Sequence, residues 1–194
     1  MNILKSVFTF VFLMMLGNSI AAQQVFKTDQ GHTELFFGWS HAGVSMQHGE
    51  FEKLEGTLDF NPKEIAKSSI QVSIDIGSLS SGYDALDKHL LGVSWLNVEK
   101  FPKAEFKSTS IEVTGKDTAD ITGDLTLHGV TKSVVLHTKL THRGPHPVGK
   151  WFDYYKGNWL AFHATAKIDH LAFGIGSYST GKITIEINTE LKQM

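Results

Sequence analysis

Residues Ile121 to Leu140, ITGDLTLHGVTKSVVLHTKL, carry the clearest repeat in the chain. Ile121, Gly123, Leu125 and Leu127 alternate with Thr122, Asp124, Thr126 and His128. Beyond a turn at Gly129 to Lys132, Val134, Leu136, Thr138 and Leu140 alternate with Val135, His137, Lys139 and Thr141. A period of two puts one set of side chains on an apolar face and the other in water. Two such runs with a short connection predict an antiparallel hairpin.

The same alternation appears on both sides of this stretch. Downstream, Leu160, Phe162, Ala164, Ala166 and Ile168 share a face, as do Ile183, Ile185 and Ile187 against Thr184, Glu186 and Asn188. Upstream, Ala104, Phe106 and Ser108 oppose Lys103, Glu105 and Lys107, and the run continues to Ile111 and Val113. Ile70, Val72, Ile74 and Ile76 make the most regular strand, with the β-branched residues that a half-buried pleated surface favours. Before it come Leu54, Gly56, Leu58 and Phe60, then Leu35, Phe37, Trp39 and His41, after a lead-in at Val25 to Asp29 and before a polar bend from Gly43 to Gly49. The count is about eight strands. Asn61-Pro62 opens at most a turn of helix. Tyr83 to Leu91 has helical spacing, with Leu86 and Leu90 on one face and Gly92 as the stop. Val93 to Pro102 and Thr141 to Gly157 are irregular and rich in aromatics, as lids or rims are.

Many antiparallel strands with short connections avoid exposed edges most simply by closing into a barrel. At this strand number the interior either packs solid or holds one small ligand, and periodicity leaves both open. The inward residues are Ile, Leu, Val, Phe and Ala, so a cavity between them would accept an apolar molecule.

Of the 194 residues, 1–22 read as a cleaved signal peptide: Lys5, an apolar run from Val7 to Leu16, then Ser19-Ile20-Ala21-Ala22. Residues 23–194 read as one exported domain. The chain has no Cys, so neither disulfides nor thiolate metal sites are available. Net charge is −2, or −3 without Lys5, with both signs interspersed, which speaks against nucleic acid and against a polybasic membrane patch.

The chain resembles the YceI-like family of bacterial periplasmic, lipocalin-like polyisoprenoid-binding proteins. The resemblance rests on Asp29 and His32, on Phe37-Gly38-Trp39-Ser40-His41-Ala42-Gly43, and on Gly49, Phe51 and Gly56. It continues through Asp87-Lys88-His89-Leu90, Asn97 to Pro102, Phe106-Lys107-Ser108, the run Gly123 to Lys132, and Phe173-Gly174. It implies an all-β, extended antiparallel lipocalin-like β-barrel with a short helix at its mouth. It also implies a bound isoprenoid lipid or quinone, no catalytic turnover and no cofactor. Leu86 and His170 stand where the family usually has Arg, Ala172 where it has an acid, Ser133 where Pro is frequent, and Trp95-Leu96 where it has a Phe pair. These departures bear on the head group and leave the tail-binding inference in place.

The expected ligand-contacting residues are Leu35, Phe37, Trp39 and His41; Leu58 and Phe60; Ile70, Val72 and Ile74; Asp87, His89 and Leu90; Trp95 and Phe101; and Phe106, Leu125, Leu127, Leu136, Phe162 and Phe173. Asp87 and His89 offer polar contact at the mouth, or simply pin the helix. Trp95, Phe101, Trp151, Tyr154 and Tyr155 form either a gate that touches membrane or a cover over the barrel end. His137, His142, His146 and His163 have no metal-ligand spacing, and no metal is assigned to them. Ser80-Ser81-Gly82 and Ser177-Tyr178-Ser179 are turn-like, without nucleophile-elbow context. The leading expectation is therefore a periplasmic carrier or sequestering protein for a long isoprenoid. The rivals are a non-catalytic partner module of an envelope-stress or membrane redox complex and a His/Asp-dependent enzyme.

Overall fold

The structure, a computed structural model, describes residues 23–177 and 181–194. The expected signal peptide lies outside the described residues, as do Tyr178 and Ser179.

Among the described residues ten strands follow in order: β1 (Gln24–His41), β2 (Ser45–Phe51), β3 (Leu54–Phe60), β4 (Ser69–Asp75), β5 (Leu79–Ser80), β6 (Lys103–Val113), β7 (Thr118–Leu127), β8 (Val130–Pro145), β9 (Asn158–Ile168) and β10 (Ile183–Gln193). The α-helix α1 (Asp84–Leu91) interrupts them between β5 and β6. Every neighbouring pair is antiparallel. The seam between β10 and β1, with Leu35 opposite Ile187 and Phe37 opposite Ile185, closes the sheet. The ring itself has eight staves, because β2 and β5 prolong β3 and β4 beyond a kink. This is the expected closed antiparallel barrel.

The kinks are held by side chains standing in for the missing ladder partners. Leu54 N–H donates to Gln30 Oε1 at 3.0 Å and Gly56 N–H to Thr28 Oγ1 at 2.9 Å, across a shift of register in β1 between Thr28 and Thr33. In the next stave the chain makes a short 3-10 turn at Ile76–Ser78, whose Ser78 Oγ accepts from Lys53 N–H at 3.0 Å.

Three local readings change. The lead-in at Val25 to Asp29 and the run from Leu35 are one strand through a bulge. The stretch expected as a bend after Gly43 is β2, whose Ser45, Met46, Gln47 and His48 are all exposed, so no alternation marks it. The central hairpin turns on two residues, His128 and Gly129, both with positive φ (52° and 74°), between Leu127 and its partner Val130. Glycine takes that conformation freely. His128 is held in it by Nδ1 at 3.2 Å from the Phe173 carbonyl and by its ring against Phe101.

The alternating topology sorts the connections to two ends. The β1–β2 turn, α1, the 93–102 segment, the His128-Gly129 turn and residues 169–177 gather at one end. At the other, Phe26, Leu58, Phe60, Leu160 and Leu191 pack into a plug. The loop from His146 to Gly157 lies there too, with Trp159 Nε1 donating to the Tyr155 carbonyl at 3.0 Å.

Candidate functional site

Between plug and α1 the barrel holds a cavity of about 580 Å³. Its wall is the inward face of the strands: Leu35, Phe37, Trp39 and His41 of β1, Leu58 of β3, and Ile70, Val72 and Ile74 of β4. Phe106, Leu125, Leu127, Leu136 and Phe162 continue it through β6 to β9. His89, Leu90 and Trp95 reach it from α1 and the segment after it. Those sixteen of the expected contacts border the space. So do residues not among the expected contacts, notably Leu86, His170, Ile175 and the β10 row Ile183, Ile185 and Ile187. The β10 residues carried the alternation signal and Leu86 shared its helix face with Leu90, but His170 and Ile175 lie in a turn, where no period reports direction.

Four expected contacts lie elsewhere. Phe60 belongs to the plug, edge-on to Phe26 at 6.0 Å. Phe173 is buried in the wall cluster with Phe106 and Leu125 but does not border the cavity. Phe101 covers Gly129, where a Cβ would lie 2.6 Å from its ring, and it packs edge-on to His128. Asp87 turns to the chain before the helix and accepts from Ser81 N–H at 2.8 Å and Ser81 Oγ–H at 2.5 Å. It pins α1 in place.

Among the described residues, the lining holds no Asp, Glu, Lys or Arg. Its polar groups are threonines along the strands and His41, His89 and His170 toward the α1 end. His89 Nε2 accepts from Trp95 Nε1–H at 2.8 Å, and His170 Nδ1 donates to the Ile175 carbonyl at 2.7 Å. The Trp95 ring lies over Gly176, whose missing side chain makes room for it; a Cβ there would meet the ring at 2.8 Å. Helix, indole and the 170–176 turn thus form a lid over an apolar chamber.

A family model for the YceI-like domain matches residues 26–192, which includes every stave and the lid. The chain belongs to the YceI-like family. A UPF0312 protein of Pseudomonas savastanoi pv. phaseolicola is 35% identical over 176 residues, covering 91% of this chain and 88% of that protein. Protein YceI of Salmonella agona is 37% identical over 169 residues, covering 87% and 84%. Among solved structures, BcnA of Burkholderia cenocepacia superposes with a TM-score of 0.72 at 20% identity, covering 84% of this chain and 98% of that one. A polyisoprenoid binding domain from Saccharophagus degradans, implicated in plant cell wall breakdown, gives 0.64 at 13% identity, covering 87% and 98%. At these identities the structures establish a shared lipocalin-like fold.

The other chemical candidates separate within this YceI-like domain. Ser81, Asp87 and His89 make no triad, since Ser81 bonds to Asp87 directly and His89 to Trp95. His137 pairs with Asp120 and His163 with Asn188, while His142 and His146 neighbour each other near Tyr155, so the four histidines do not converge. Trp95 and Phe101 stand at the lid, whereas Trp151, Tyr154 and Tyr155 belong to the loop at the plug end, so they form no common gate. No helix among the described residues is long and apolar enough to cross a membrane.

Proposed function

We propose that this YceI-like protein sequesters or carries one long isoprenoid in the periplasm, with the chain buried along the barrel axis. The uncharged wall of the cavity carries this reading. Each five-carbon isoprene unit removed from water contributes on the order of 3–4 kcal/mol, at about 0.8 kcal/mol per carbon. A few units exceed the cost of association and of ordering the chain. Affinity then needs no charged anchor. The same wall argues for the head group. His89, Trp95 and His170 bring polar ring nitrogens to the lid end beside Leu86, but no Lys or Arg among the described lining residues balances a diphosphate. The fitting ligand is therefore a quinone, alcohol or other uncharged isoprenoid. The family and its polyisoprenoid-binding neighbour support binding over catalysis.

Native mass spectrometry of protein purified from a bacterial host tests the first part: a single lipid-mass adduct is expected, and a barrel that stays empty after incubation with isoprenoids counts against it. Competition between farnesol and farnesyl diphosphate for a fluorescent isoprenoid tests the second. Farnesol is expected to compete at least about tenfold better, a difference of about 1.4 kcal/mol. Equal competition removes the head-group argument and leaves tail burial standing.

A further inference from the structure

On the outer surface near the plug end, three ligand-type side chains converge. Asp29 and His32 stand in the bulge of β1 and Glu190 beside them on β10, with one donor atom from each within 4.8 Å of the others. None of them borders the cavity. Glu190 faces outward because its neighbours Thr189 and Leu191 face in. In a regular strand, residues three apart point to opposite faces, so the register shift between Thr28 and Thr33 is what brings Asp29 and His32 together.

Each of the three is also held from behind. Asp29 Oδ1 accepts from Tyr154 Oη–H at 2.9 Å and Gly31 N–H at 3.3 Å, which leaves Oδ2 facing His32 Nδ1 at 2.7 Å. His32 Nε2 meets Tyr155 Oη at 3.3 Å. His146 Nδ1 accepts from Val148 N–H at 3.3 Å, so its protonated Nε2 donates to Glu190 Oε2 at 3.2 Å and leaves that carboxylate a second oxygen. Burial of Asp29 opposes its ionisation but is outweighed by donors from His32, Tyr154 and Gly31, and its carboxyl lies below the usual range. Outer partners that fix ligand orientation while leaving one donor each toward a common point are the second layer that metal sites share.

We propose that Asp29, His32 and Glu190 bind one first-row divalent transition metal ion, clamping β1 to β10 at the closed end of the barrel. Two carboxylates balance the ion's charge, and one imidazole with two oxygens suits a borderline cation such as Zn²⁺ with water in the remaining positions. Binding at Nδ1 displaces the proton that this nitrogen shares with Asp29 Oδ2: the imidazolium form releases it to solvent and keeps its Nε2–H on Tyr155 Oη, and the neutral form moves it to Nε2.

Calorimetric titration of the purified protein with ZnCl₂, in two buffers of different protonation enthalpy, tests this. One saturable site is expected, with a buffer-dependent heat where His32 enters as the imidazolium. It should weaken by at least about tenfold in both His32→Gln and Glu190→Gln and remain unchanged in His137→Gln. Far-ultraviolet circular dichroism would establish that each variant is folded, and both substituted positions are solvent-accessible. No saturable binding, binding unchanged in either ligand variant, or loss in His137→Gln would each overturn the assignment.

Discussion

At Gly123 there is no room for any side chain: a Cβ would lie 2.4 Å from the Phe106 ring and 2.6 Å from the Lys107 carbonyl oxygen. The ring is part of the cavity wall and the carbonyl belongs to the ladder, so neither gives way cheaply. Gly123→Ala is therefore expected to cost about 1–3 kcal/mol, read as a lower urea midpoint at unchanged slope. Gly49 and Phe37 repeat the arrangement, with a Cβ 2.5 Å from the ring. Trp95 is the corresponding residue at the lid. Trp95→Ala removes the ring over Gly176 and the bond to His89, and it should speed release of a bound fluorescent isoprenoid severalfold in stopped-flow measurements while the fold survives. An unchanged release rate would show that ligand leaves by another route. Alternation marked strand residues that line the cavity but could not separate wall from plug: Phe60 lies in the plug alone, whereas Leu58 on the same face belongs to both. Phe101 and Phe173 were opaque for a different reason: outside a strand, nothing in the spacing says which way a ring turns.

Helix α1 buries none of its residues fully, and it is fastened by Asp87 to Ser81 and by His89 to Trp95. An element with so little buried surface opens at low cost. Its amides should exchange with deuterium markedly faster than those of β9 and β10, and Asp87→Ala should widen the gap by loosening its pin. Equal protection of helix and staves would mean that the lid is not a separable unit. The helix was legible because Leu86, Leu90 and Gly92 gave spacing and a stop. Strand β2 was not, since Ser45 to His48 meet water on both sides and the apolar signal vanishes. Strand β1 was read as two pieces because its bulge reverses the phase of alternation between Thr28 and Thr33. The outward Asp29–His32–Glu190 group was invisible for the same reason: β10 pairs with a bulged strand distant in sequence, and no local motif records the meeting.

For the barrel as a whole, occupancy and stability are linked. A ligand present at about 100 times its dissociation constant stabilises the folded state by about 2.7 kcal/mol, so delipidated protein should unfold at a lower temperature and recover on adding isoprenoid. Ala164→Trp projects an indole from β9 into the chamber; it is expected to abolish the lipid adduct in native mass spectrometry while the protein stays folded. An adduct retained in this variant would place the lipid outside the barrel. The seam between β1 and β10 has one more consequence. Because the ring is joined through strands at opposite ends of the folding sequence, the oily chamber does not exist until β10 docks. A chain arrested before Ile183 presents the whole lining as an open, sticky trough with two unpaired borders. Such a fragment should aggregate or recruit a chaperone, and the arriving hydrocarbon can act as the former around which the last stave is laid.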